Sequence, residues 1–163
     1  QAMVAALKAH PDARKLLRGG KKERVIIQPR PSGLLPLKAR LDVHREAQRQ
    51  VVELKTIYSL HHTLDMAIDR YRYLLSAAFY QHLVKALSVV FIFVQSAEPH
   101  DVMVLELSRQ QLQSGSAQWR TALAQFDECW LNNHWPKPNR VILDRIPLIR
   151  PPRFNLSVGE LAL

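Results

Sequence analysis

The stretch Ser88 to Gln95, SVVFIFVQ, is an almost unbroken run of β-branched and aromatic residues, and it narrows what this chain can become. It has the length of a strand and is far too short to span a bilayer. A strand that is apolar on both faces has to be covered on both faces. The chain is therefore expected to form a layered molecule around this segment. Ser96 to His100 turns the chain, and Asp101 to Leu107 (DVMVLEL) reads as the hairpin partner.

The remaining elements fall in order around that core. Ala2 to Leu17 carries Met3, Val4, Leu7, Ala13, Leu16 and Leu17 at helical spacing, with a restart near His10-Pro11-Asp12 and an end at Gly19-Gly20. Three extended segments follow, Arg24 to Gln28, Leu34 to Val43 and Gln50 to Ile57. A turn signal at Pro29 to Gly33 and a polar bend at His44 to Gln48 separate them. One long helix is expected from Leu64 to about Leu87. Another is expected from Ser108 to about Asn132, with Gly115 as its weak spot and Trp119, Cys129 and Trp130 in the core. The order α-β-β-β-α-β-β-α predicts the α/β class, a central mixed sheet flanked by helices. Residues 1–135 are expected to form one domain, with the Pro-rich tail 136–163 packed on it. A chain that begins with Gln is expected to be a piece of something longer.

Charge limits the partners. Lys and Arg number 23 against 14 Asp and Glu, a net charge of +9, which favours nucleic acid over a membrane surface. The single cysteine, Cys129, excludes an internal disulfide and a cluster of cysteine ligands. No G-x-S-x-G, P-loop or G-x-G-x-x-G is present, which removes the usual routes to nucleophilic hydrolysis and nucleotide binding.

The chemistry concentrates in the early strands. Asp42 lies near the end of the second, and Glu53 and Lys55, two apart, share one face of the third. Among Val51, Val52, Leu54 and Ile57, an acid and a lysine must be paired or must bind something. Two carboxylates from adjacent strands supply the hard oxygen ligands that Mg²⁺ takes. Such a metal would polarise a scissile phosphate, while Lys55 orients water or neutralises charge. Asp, a spacer and Glu-x-Lys form a loose pattern, and a solvated Glu–Lys pair on an exposed strand is the plainer reading. The acid falls on the second strand and E-x-K on the third, after one helix and before another.

A wider pattern runs through most of the chain. AHPDARKLL is followed by Glu23 and Gly33, then LKARLD (Leu37 to Asp42), VVELKT (Val51 to Thr56), YRYLLSAAFY (Tyr71 to Tyr80) and, after the last helix, NNHWP. In these motifs the sequence resembles the PD-(D/E)XK nuclease superfamily, in its exodeoxyribonuclease VIII (RecE-type) and phage exonuclease branch. The resemblance implies Asp42, Glu53 and Lys55 as the catalytic centre, Asp42 and Glu53 as ligands of Mg²⁺ or Mn²⁺, and Glu23 as an acid before the first strand. It also implies a 5′ to 3′ DNA exonuclease acting on duplex ends in recombination or repair. A ring-shaped homo-oligomer, a single-strand annealing protein as partner and a cytoplasmic place in a bacterial or phage-infected cell come with it. Two departures stand out. Ser76 occupies the place of a Gln four residues before Tyr80, and the histidine found upstream of the first helix has no counterpart here. These leave open a degenerate domain that binds DNA without cleaving it.

Other candidates carry two readings each. Glu23 is a site acid or a surface residue of the polar run Lys21 to Arg24. Lys38 and Arg40 are phosphate contacts or an exposed basic strand face. Tyr71, Arg72, Tyr73 and Tyr80 mix aromatic and basic character as a nucleic-acid surface would. Core packing suits Tyr73 better, and the Tyr80 hydroxyl is placed to touch the site. His44 shares the strand face of Asp42 and is a supporting candidate. His61 and His62 are adjacent and so diverge, which suits a loop or the start of a helix.

Overall fold

A computed structural model describes residues 1–136. It contains α1 (Ala2–Ala9), α2 (Pro11–Arg18), β1 (Lys21–Gln28), β2 (Leu37–Arg45), β3 (Gln50–Ile57), α3 (Leu60–Arg70), α4 (Tyr73–Val84), β4 (Ser88–Gln95), β5 (Val102–Glu106) and α5 (Arg109–Leu131). The expected tail lies outside the described residues apart from Pro136. The strands form one sheet in the order β1-β2-β3-β4-β5, antiparallel except where β3 pairs in parallel with β4. This is the mixed sheet between helices that the sequence predicts.

β4 explains the layering. Val89, Phe91 and Phe93 enter a core shared with α3, α4 and α5, while Val90, Ile92 and Val94 enter a second core shared with α1 and α2. Its apolar run is therefore divided residue by residue between two helical layers. The α1–α2 layer is split by Pro11. His10 is extended before it, and its ring Nδ1 accepts from the Ala13 amide at 3.3 Å, an N-cap for α2.

Several boundaries differ from expectation. β1 starts at Lys21 rather than Arg24, because pairing with His44 and Val43 overrides the polar KKE sequence. The single helix expected over 64–87 is two helices, with a break at Arg72 (φ 53, ψ 42). A straight helix of that length would run about 36 Å, whereas an eight-residue strand spans about 27 Å. The break lets Leu64 and Ile68 on one side, and Leu74, Ala77 and Ala78 on the other, reach the same core. No Gly or Pro marks it, so the left-handed backbone is imposed by packing.

α5 outruns the core beneath it. Trp119 is buried, but Trp130 is 43% exposed and Cys129 only partly covered, which corrects the expectation that both are core. Trp130 instead donates from its indole nitrogen to the Gly33 carbonyl at 3.0 Å. Arg30 and Asp127 form a two-point ion pair beside it. The far half of α5 thus latches the loop between β1 and β2.

Gly115 is a close-approach position rather than a weak spot. A Cβ there would overlap the Leu74 carbonyl oxygen, so this glycine sets how closely α5 lies on α4. Gly115→Ala gains about 1 kcal/mol of helix propensity. It is nonetheless expected to lower stability by about 3 kcal/mol through overpacking. Urea unfolding checks this, and a stabilised variant would refute the close-packing account.

Candidate active site

β2 and β3 are paired over only three positions, Val43↔Val52, His44↔Val51 and Arg45↔Gln50. Beyond them the ladder stops, although both strands continue. In regular alternation Leu41 and Val43 share a face, yet Leu41 belongs to the core under α3 to α5 and Val43 to the core under α1 and α2. The alternation of β2 therefore slips at Asp42. Opposite, β1 skips its ladder contact at Glu23, whose φ is 50.

Backbone amides at this fork lose their sheet partners and need others. Two carboxylates provide them. The Asp42 amide donates to Glu53 Oε1 at 3.2 Å, and the Leu54 amide donates to Asp42 Oδ2 at 2.8 Å. Each acid thus braces the opposite strand. Lys55 Nζ lies 2.9 Å from Glu53 Oε2 and 3.5 Å from Asp42 Oδ2. Glu53 is buried at 2% exposure, whereas the Asp42 and Lys55 side chains remain partly open to solvent.

An open cleft of about 510 Å³ lies over this group. Lys38, Arg40, Asp42, Glu53, Lys55 and Tyr80 line it, so three cations face two carboxylates. Burial raises the Glu53 carboxyl above its usual value, against the pull of Lys55. Burial pushes Lys55 down, but Glu53 and Asp42 outweigh it and hold the ammonium above its ordinary value. Tyr80 is raised by burial and by Glu53, so its phenol stays a hydrogen-bond donor at neutral pH.

The remaining candidates sit elsewhere. Glu23 is exposed and pairs with Arg40 at 3.2 Å, touching the cleft only through that rim residue. The Ser76 hydroxyl is spent on the Tyr73 carbonyl at 3.0 Å and does not line the cleft. Arg72 forms the left-handed break before α4, also away from the lining. His44 is buried and faces Arg24, with its Nδ1 2.8 Å from that guanidinium, in a neighbouring hollow with Leu83 and Val84. Sequence reasoning did not foresee the carboxylate-to-backbone braces, which depend on where two strands part.

Among the described residues no group of three or more His, Cys, Asp and Glu converges to hold a metal. The donor set still fits one divalent cation of the Mg²⁺ or Mn²⁺ type. Such ions use one or two carboxylates and fill their shell with water and substrate oxygens. Asp42 Oδ1 accepts no hydrogen bond among the described residues, and the buried Glu53 carboxylate is matched only in part by one ammonium.

A family model described as "PDDEXK-like domain of unknown function (DUF3799)" matches residues 1–140. The crystal structure of a candidate exonuclease from Eubacterium rectale superposes with a TM-score of 0.68 at 14% identity, covering 82% of this chain and 53% of its own. The chain thus spans about half the length of that protein. A phage-related exonuclease from Haemophilus somnus superposes with a TM-score of 0.49 at 12% identity, covering 77% of this chain and 67% of its own. No curated protein sequence matches. The first superposition bears on the fold and agrees with the mixed sheet described above.

The raised Glu53 carboxyl has a signed consequence. Folded Glu53 holds its proton more tightly than the unfolded chain does. Its contribution to stability is therefore full below the unfolded value of about 4.3 and is lost as pH rises through the folded one. Glu53→Gln lacks that loss. In EDTA its thermal midpoint, relative to the unsubstituted chain, is expected to climb between about pH 4 and pH 8. A difference independent of pH would contradict the burial argument.

Proposed function

The chain belongs to the family of PDDEXK-like domains of unknown function, and we propose that it is a metal-dependent deoxyribonuclease that hydrolyses phosphodiester bonds at the Asp42–Glu53–Lys55 fork. One observation carries the reading: two carboxylates and an ammonium meet where β2 leaves β3, inside a cleft with a cationic rim. A structural ion pair does not need a cleft of this kind. A site that must admit a phosphate does.

Asp42 and Glu53 hold Mg²⁺ or Mn²⁺ in this reading. When bound, the ion supplies Lewis-acid polarisation of the phosphate and a more acidic water. The chain's own groups do the rest. Lys38 and Arg40 draw the phosphodiester to the mouth of the cleft. Lys55, kept protonated by its two acids, donates to a phosphate oxygen as charge builds there. Tyr80, also in the cleft lining, donates from its phenol. The oxygen of a water bonds to phosphorus, the phosphorus–oxygen bond to the departing nucleoside breaks, the water releases a proton and the departing oxygen takes one up.

Attack on duplex DNA ends in the 5′ to 3′ direction is the finer form of the proposal, supported by the motif resemblance. A ring-shaped oligomer, an annealing partner and a role in recombination within a bacterial or phage-infected cell belong to the same finer reading. Among the described residues no helix is long and apolar enough to cross a membrane.

A second reading has one observation in its favour. Ser76 turns its hydroxyl to the Tyr73 carbonyl, so it offers the cleft nothing in place of a longer amide. A degenerate domain that binds DNA without turnover fits that departure. Cleavage of end-labelled linear duplex with Mg²⁺, Mn²⁺ or EDTA separates the two. Metal-dependent loss of label is expected, reduced about a hundredfold or more in Asp42→Asn and Lys55→Ala, with 5′ and 3′ labels reporting polarity. Equal cleavage by both variants would overturn the nuclease assignment at this fork. Metal-independent binding without cleavage would favour the degenerate domain.

A further inference from the structure

The aromatic residues at the break between α3 and α4 remain unused by the site just described. Tyr71 closes α3, and the left-handed Arg72 turns the chain before α4 begins. That turn leaves Tyr71 60% exposed. It is nevertheless held in place. Its centroid lies 5.7 Å from that of Tyr73 with the planes 30° apart, and the Arg70 guanidinium sits 5.9 Å from its centre. Tyr73 is in turn fixed on two buried rings of β4, Phe91 at 5.7 Å and Phe93 at 6.1 Å.

This ladder leads to the fork. Lys55 Nζ is 5.9 Å from the Tyr73 centroid, so two successive steps connect the candidate site to the exposed ring. An exposed ring backed by rigid packing loses little conformational freedom when it binds. Its chemistry favours a flat, π-bearing group, and Arg70 adds attraction for a nearby anion. The hollow at the other end of the ladder is cationic, so the ligand that joins both features is a nucleotide. A base inside a duplex has both faces covered by its neighbours, so only an unpaired base has a face to offer.

We propose that Tyr71, backed by Tyr73 and flanked by Arg70, is a stacking platform for an unpaired nucleobase of the strand that enters the Asp42–Glu53–Lys55 cleft. The proposal rests on the nuclease reading and adds to it a contact made to bases instead of phosphates. It assigns Tyr71 a binding role, with no part in bond breaking. Because every base has a π face, the platform is tolerant of sequence.

The test is direct binding in EDTA, where cleavage plays no part. Fluorescence anisotropy would be followed for the full chain with a single-stranded deoxyoligonucleotide and with the same strand made abasic. Tyr71→Ala is expected to weaken binding of the base-bearing strand by roughly fivefold to a hundredfold, to leave the abasic strand unchanged, and Tyr71→Trp to restore affinity. A 2-aminopurine in the strand should be quenched by the unsubstituted chain and by Tyr71→Trp but not by Tyr71→Ala. The proposal is overturned if Tyr71→Ala binds both strands as the unsubstituted chain does, or loses the same factor for each. A chain that shows the base-dependent loss yet never cleaves keeps the platform and removes the nuclease reading. One that cleaves without base dependence does the reverse.

Discussion

Much of this molecule turns on the parting of β2 from β3 after three paired positions. Two strands that separate inside a sheet leave amides that water cannot easily reach, and each unpaired group there costs about 1–3 kcal/mol. The chain answers with Asp42 and Glu53, each reaching across to the other strand's backbone. The same carboxylates then need a counter-charge, which Lys55 supplies. Structural repair of the fork and assembly of a polar, charged centre are thus one arrangement. A regular ladder at these positions would close the gap that now forms the cleft.

The position of the fork depends on the layers around it. β4 is buried on both faces and pairs in parallel with β3 along its whole length, so β3 is tied to the centre of the sheet. β2 is free to diverge because its other neighbour is the edge strand β1, which follows it and is irregular at the matching position, Glu23. The loop between them is fastened from the far side by Arg30–Asp127 and by the indole of Trp130. One wall of the cleft is the rigid centre of the sheet. The other is a two-stranded arm held at its tip by α5.

The electrostatics follow from the same geometry. Burial raises the Glu53 carboxyl, while Glu53 and Asp42 hold the Lys55 ammonium above its ordinary value. Buried charge pairs seldom add net stability over apolar residues of the same volume. Their presence in a strand otherwise made of Val51, Val52, Leu54 and Ile57 therefore argues for use.

Local sequence determined the elements whose signal is periodic or punctuated. The boundaries of β3 and β4, the restart at Pro11, the Ser108 start of α5 and the pairing of Glu53 with Lys55 on one face can all be read from the residues in order. So can the α/β class, because a doubly apolar strand requires two covering layers. Tertiary structure decided the rest. It extended β1 across a polar KKE, broke a helix at Arg72 where no Gly or Pro stands, and turned Trp130 from core to latch. It also made Gly115 a point of contact. Each of these depends on what a distant segment requires, such as a strand length to be matched, a carbonyl to be cleared or a loop to be tied. The fork itself belongs with them, since a local sequence specifies which residues can form a ladder but not where a third and fourth strand will pull that ladder apart.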